Sequence, residues 1–233
     1  VPASLAGITL AGPLSWTTPL TQTCVSPSGF TVSYPQNWYR YVPSPDEDQS
    51  YAKCRWFGSA PMNDRPEFPD RPPTPIEMGI RPGVTFDEAS QPREPSEVES
   101  NRQTQTVNGR RVVRIDASLV DDNREVSVPG GTRTVRWVVE MGSNVVLLGE
   151  AFPNGVAGSG VADDGRTDSM DVAENAAVLD AMMRSVVLTQ PFTNTSAATP
   201  QAPATTAISP SPNSSGAQTP IVVEALSDPC LRQ

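Results

Sequence analysis

Histidine is absent from the chain. That removes Ser-His-Asp and Cys-His catalysis, His-ligated metal centres and imidazole pH switches together. Lysine is nearly absent too, with Lys53 alone, so Schiff-base and P-loop chemistry have almost nowhere to sit. Serine–lysine nucleophilic chemistry would need Lys53 beside Ser50 or Ser59, and we set it aside. No apolar run approaches the roughly 18–20 residues needed to cross a bilayer. No internal repeat is visible.

Cysteine is scarce, at three residues. None has the C-x-x-C spacing of a redox or zinc site. Cys24 lies just before the strand-like motif Gly29-Phe30-Thr31-Val32-Ser33-Tyr34, and Cys54 lies within the strand-like run from Tyr51 to Phe57. A bridge between them would close a loop of about 30 residues and, through chain entropy, contribute roughly 3.5 kcal/mol. We expect that disulfide, and with it an extracytoplasmic, oxidising compartment. The alternative is two unrelated buried thiols. Cys230 is the odd one out, either free or joined to another chain.

What is abundant is proline and acid. The chain has 233 residues with 25 Pro, and 17 basic against 26 acidic residues give a net charge of −9. That balance predicts no affinity for nucleic acid. Residues 1–23 form a Thr/Pro/Leu leader with little periodicity, which reads as an extended start of a mature chain after removal of a signal sequence. Residues 24–188 alternate like a folded domain. Residues 189–220 are almost wholly Thr, Ser, Ala, Pro, Asn and Gln, a composition that cannot offset its ordering entropy and predicts an extended linker or stalk. Residues 221–233 close the chain with a short apolar patch.

Inside the domain the period is mostly two. Phe30, Val32 and Tyr34 alternate with polar residues, and a turn at Pro35-Gln36-Asn37 leads into a strand from Trp38 to Val42. Further strands are expected from Tyr51 to Phe57 and over Ile76, Met78 and Ile80, either side of a Pro-laden excursion. Asn108-Gly109 is a strong hairpin signal between Gln103 to Val107 and Arg111 to Leu119. Val113, Ile115, Ala117 and Leu119 point to one face and Arg114, Asp116 and Ser118 to the other. A second hairpin turns at Gly142-Ser143-Asn144, with Val135, Trp137, Val139 and Met141 as its buried stripe. The period then changes: Val172, Ala176, Leu179 and Met183 mark one face of a helix from about Ser169 to Arg184. Antiparallel strands with one firm terminal helix predict an α+β fold.

The run Phe30-Thr31-Val32-Ser33-Tyr34-Pro35 followed by Trp38 resembles the start of the PsbP/Mog1/LpqN-like domains. Val107-Asn108-Gly109 resembles their turn into the central sheet, and Ala181-Met182-Met183-Arg184-Ser185-Val186 resembles the exit of their last helix. The resemblance covers roughly residues 24–188. It implies an antiparallel sheet flanked by helices, with disordered or extended termini, in an exported and often cell-envelope protein. The family has no shared catalytic motif, so no residue inherits a function.

Each chemical candidate has a plainer alternative. Asp163, Asp164, Asp168 and Asp171 are the densest oxygen cluster, yet their spacing does not match an EF-hand, and a solvated loop with helix-capping carboxylates is the better reading. Asp87, Glu88, Glu94, Glu97 and Glu99 could pair for acid–base work, but nothing in the sequence desolvates them. Trp38, Tyr39, Tyr41 and Trp56 could line a ligand surface, and alternating aromatics are more often core. If Trp38 and Tyr39 share a strand, at least one aromatic should face solvent or be covered by the leader. Asn194 and Asn213 stand in glycosylation sequons.

The combined reading is an exported, non-enzymatic accessory protein without cofactor or metal, binding a partner protein or an envelope component. One alternative is a small-molecule or lipid carrier with an apolar pocket beneath Val172, Ala176 and Leu179. The other is a carboxylate-dependent hydrolase. The tail has its own role in this reading: Ile221, Val222, Val223 and Leu226 suit a strand added to an exposed sheet edge, a neighbouring subunit being preferred over a self-contact, and Cys230 could lock it.

Overall fold

The computed structural model describes residues 3–62, 74–92, 97–120, 130–153 and 169–189. The chain divides into two units, Val1–Asn194 and Thr195–Gln233, and all described residues belong to the first. That unit is α+β, with two antiparallel sheets. The smaller sheet has the order β1 (Ala3–Ser4), β11 (Val187–Leu188), β3 (Phe30–Tyr34) and β2 (Gln22–Ser26). The larger runs β4 (Tyr39–Arg40), β5 (Trp56–Gly58), β6 (Ile76–Pro82), β10 (Val145–Ala151), β9 (Arg133–Gly142), β8 (Arg110–Leu119) and β7 (Glu97–Val107). The helices are α1 (Gln49–Ala52), α2 (Phe86–Ala89) and α3 (Ser169–Ser185).

Both hairpin signals become hairpins. Asn108 and Gly109 sit at φ 52° and 76°, the doubly positive pair that a type I′ turn needs to match the strands' twist. Ser143 and Asn144 join β9 to β10, with a bulge between Val145 and Val146. The terminal helix also follows its periodicity, and Val172, Ala176, Leu179 and Met183 are all buried. It packs on β9 and β10 of the larger sheet and on β3 of the smaller. Ser185 closes it, its hydroxyl accepting from Ser33 N–H at 2.9 Å and donating to Met182 O at 2.7 Å.

The polar face expected on β8 is a correction. Val113, Ile115 and Ala117 do form one buried face, packing with Val138, Val146 and the Phe86 ring of α2. Arg114, on the other face, pairs across the ladder with Trp137 and is 0% exposed. The two stripes read from the sequence, Val113-Ile115-Ala117 and Val135-Trp137-Val139-Met141, therefore face opposite sides of the sheet. The sheet is covered twice, by α2 on one side and by α3 with the leader on the other, so alternation does not separate core from solvent here.

The leader is part of that cover. Leu5, Ile8 and Leu10 are buried in the main core, and β1 pairs with β11. Its backbone is held by side chains in place of a ladder. Thr9 N–H donates to Gln105 Oε1 at 2.9 Å, Gln105 Nε2 to Gly7 O at 3.0 Å, Gln103 Nε2 to Ala11 O at 3.0 Å, and Arg184 Nη2 to Leu10 O at 2.6 Å. Gly12 N–H donates to Asp180 Oδ2 at 2.8 Å. Gly12 lies so close over Arg114 that a Cβ would come within 2.4 Å of Nη2.

Beneath Gly12 is a charged cluster. Asp180 Oδ1 accepts from Arg114 Nε at 2.9 Å and from Trp137 Nε1 at 2.8 Å, and Arg114 Nη1 reaches both oxygens of Asp116 at 2.7 Å. A buried carboxylate would be expelled without such donors. Asp180 follows Ala176 by one helical turn, a position the periodicity marks as inward, so it could have been found in the sequence.

Where the carrier reading expects a pocket beneath α3, β10 comes close to the helix at Leu179 and Met183. Gly149 of β10 lies against the helix so closely that a Cβ would meet Met183 Sδ at 3.0 Å and Leu179 Cδ1 at 3.1 Å. Two predictions follow from this packing. Leu179→Ala should cost about 2–5 kcal/mol in urea unfolding. Asp180→Asn should cost about 1–3 kcal/mol by removing one of the two carboxylates that meet Arg114, whereas the double change Asp180→Leu with Arg114→Met should cost well under the sum of the two single changes.

Candidate functional site

Several residues singled out in the sequence converge on one corner, where α1 meets β5. Cys24 of β2 and Cys54 form a disulfide with Cα atoms 5.8 Å apart across a sequence separation of 30 residues. Both sulfurs belong to buried residues, at 2% and 0% exposure. The run from Tyr51 to Phe57 is not one strand, however. Asp48 caps α1 by accepting from Ser50 N–H at 2.9 Å, the chain leaves the helix at Lys53, and Cys54 adopts a positive φ of 64°. Only from Trp56 does β5 begin. The apolar and aromatic residues of this run hid the cap, since they suit a strand equally well. β2 was also missed, because Gln22-Thr23-Cys24-Val25-Ser26 carries too little apolar weight to signal itself.

The aromatics divide as follows. Trp38 is buried in the main core just before β4, outside the strand expected to hold it together with Tyr39, and Tyr39 faces outward at 46% exposure. Tyr41 and Trp56 form a separate small core with Ala52, their rings 5.6 Å apart and edge to face. The Tyr41 hydroxyl donates to Glu47 Oε1 at 2.6 Å. These rings pack on protein, and only Tyr39 presents an open aromatic surface.

Arg55 is the centre of the corner. Its guanidinium stacks 3.8 Å over the Tyr51 ring and 4.9 Å from the Trp56 ring, and Nη2 meets Glu77 Oε1 at 2.6 Å with the Arg55 side chain 9% exposed. Burial pushes its pKa down from the usual value, with Glu77 pulling the other way. Glu77 also meets Arg81 Nη2 at 3.2 Å. Between this corner, the β2–β3 turn and β6 lies a small cleft of about 20 Å³, lined by Ser26, Ser28, Ser50, Lys53 and Arg55 over Phe30 and Met78.

Ser50 and Lys53 do have the S-x-x-K spacing. Yet Ser50 Oγ donates to Asp48 Oδ1 at 2.6 Å, and Lys53 leaves the helix in extended backbone as its C-cap. The pair is not held one above the other on a helix as that chemistry requires.

The carboxylates considered for acid–base work are engaged structurally. Glu97 pairs with Arg136 at 3.1 Å, Glu99 with Arg102, and Asp87 with Arg111 at 2.8 Å. Glu88 completes a capping box with Thr85, whose hydrogen bonds hold its carboxyl below its usual pKa. Glu94 lies outside the described residues. So do Asp163, Asp164, Asp168 and the side chain of Asp171, along with Asn194, Asn213, Ile221, Val222, Val223, Leu226 and Cys230.

No protein-family model matches the chain, and no curated protein matches it. Among solved structures it is similar to the solution structure of cyanobacterial PsbP (CyanoP) from Synechocystis, with a TM-score of 0.40 and 12% identity over 76% of this chain and 99% of that one. A likeness of that size assigns no role to any residue here.

The disulfide yields its own prediction. Reduction, or Cys24→Ser with Cys54→Ser, should lower stability by roughly 3.5 kcal/mol, read from the unfolding free energy extrapolated to water, with a larger m-value for the uncrosslinked chain.

Proposed function

We propose that this chain is an exported, non-enzymatic accessory protein that binds a partner protein by strand addition, in an oxidising compartment outside the cytoplasm. The observation that carries this reading is the outer edge of β7, an eleven-residue strand. Among the described residues, 101–107 make no backbone hydrogen bond to any strand but β8. A long strand edge is a template for another chain.

Its first part is guarded. Glu97 and Glu99 are charged, and a bulge falls between Glu99 and Asn101, two devices that deter indiscriminate pairing. Residues 101–107 are polar and unbulged, and so accept a strand without inviting aggregation. Ile221 to Leu226 would extend about 20 Å as a strand, which residues 101–107 can accommodate. We assign the tail to such an edge, that of a neighbouring subunit being preferred, with Cys230 able to lock the contact.

The buried Cys24–Cys54 bridge supports the oxidising setting. Pairing of Glu97, Glu99 and Asp87 with arginines supports a structural role for those carboxylates over the hydrolase alternative. Close packing at Gly149 weighs against the carrier alternative beneath α3.

Hydrogen exchange on the native assembly tests the docking. Amides of 221–226 and of 101–107 should be protected, and truncation after Pro220 should release the latter. If 221–226 exchange as fast as 189–220, the docking reading fails.

A further inference from the structure

The cleft between the β2–β3 turn and the α1–β5 corner carries a second binding site, unrelated to the β7 edge. Its walls gather the chain's only lysine, Lys53, with Arg55 and the hydroxyls of Ser26, Ser28 and Ser50. The Arg55 side chain is 9% exposed, and its Nε–H is buried with no acceptor among the described residues. Leaving a charged donor unsatisfied in this way is costly. Lys53 has no ion pair among the described residues either. Glu77 is the acid facing this group, and it is already shared between Arg55 and Arg81. Counting also Asp48, which holds Ser50, three cations against two carboxylates leave one positive charge in excess at the corner.

The hydroxyls fit the same purpose. Ser26 Oγ and Ser28 Oγ lie 2.7 Å apart, so one proton is used between them and the second O–H remains to donate outward. Ser50 Oγ is turned toward Asp48. The available donors are therefore the Lys53 ammonium and one serine hydroxyl, and the buried Arg55 guanidinium adds its charge behind them. They approach from both sides of the cleft, and the Cys24–Cys54 bridge fixes those sides together. Ser26 is two residues from Cys24, while Lys53 and Arg55 flank Cys54.

We propose that this cleft binds a compact tetrahedral oxyanion of the phosphate class, with Lys53 and Arg55 supplying charge and the Ser26–Ser28 pair a hydroxyl donor. Several donors on separate walls suit a group with oxygens in several directions better than a planar carboxylate. Free phosphate and a phosphomonoester share this chemistry.

The test uses the full chain with its disulfide intact. Inorganic phosphate is titrated at ionic strength matched with sodium chloride, following ³¹P line broadening and the thermal midpoint, which rises with any ligand that binds the folded state alone. Phosphate should raise the midpoint beyond chloride, and Lys53→Met should weaken binding by about tenfold or more, the loss of one charge-assisted hydrogen bond. Ser28→Ala should weaken it less, and Arg133→Gln, which removes an exposed charge from β9, should leave it unchanged. Parallel titrations with O-phosphoserine and with acetate define the class: phosphoserine binding as well as phosphate marks a phosphomonoester site, phosphate alone marks a free-anion site, and both support the proposal. An equal effect of chloride, stronger binding of acetate, or equal weakening by Arg133→Gln and Lys53→Met would overturn it. Binding to vesicles of phosphatidylglycerol and phosphatidylcholine without binding to inorganic phosphate would also overturn it, by moving recognition off the cleft. None of these readouts depends on the β7 edge.

Discussion

The ion pair between Arg114 and Asp180 is the constraint around which the larger sheet is covered. Asp180 brings α3 to β8 through Arg114, to β9 through Trp137 and to the leader through Gly12. A buried pair of this kind adds little net stability over well-packed apolar residues, because both ions leave water. What it does is discriminate. A rotation of α3 by one residue, or a shift of the leader along the sheet, would leave a buried charge without its partner. Apolar contacts along Val172, Ala176, Leu179 and Met183 tolerate small slippage, and the Asp180 carboxylate does not.

The smaller sheet is attached by other means. Its four strands include two of only two residues, β1 and β11, so the ladder alone holds it weakly. α3 packs beneath it through β3, and the Cys24–Cys54 bridge joins its edge strand to the α1–β5 corner. The bridge acts mainly on the unfolded chain, and the strained backbone at Cys54 is tolerated because the bridge, the Asp48 cap and the stacked Arg55 all define that turn. One link between the sheets is therefore chosen by burial of charge and the other by covalent closure.

This division explains what could be read from the residues. The hairpins at Asn108-Gly109 and Ser143-Asn144 and the helix over 169–185 are set by local chemistry, and they were legible. The two-sided burial of β8 was not. Arg114 between Val113 and Ile115 is what an exposed face looks like, and only a carboxylate 66 residues away makes it a core residue. The leader was opaque for the same reason, since glutamines of β7 and an arginine of α3 hold it in place of any periodicity of its own. At the candidate site, the Cys24–Cys54 pairing was legible. The cleft was not, because Ser26, Ser28, Lys53 and Arg55 become neighbours only when the bridge closes.

The net charge of −9 argues against anion binding only at long range. At physiological ionic strength the Debye length is about 8 Å, so carboxylates spread over the surface scarcely reach a cleft whose own walls hold the cations. At the corner the balance is set by Lys53, Arg55 and Arg81 against Glu77 and Asp48, and it is positive by one charge. Among the described residues, Arg114 Nη2 and Arg55 Nε are buried guanidinium N–H groups without an acceptor. The first is sealed under Gly12, where not even a Cβ fits. The second belongs to the wall of a cleft. Both N–H groups are closed to solvent, so neither meets a ligand oxygen, and what separates the two arginines is that only Arg55 lends its charge to the lining of a cleft.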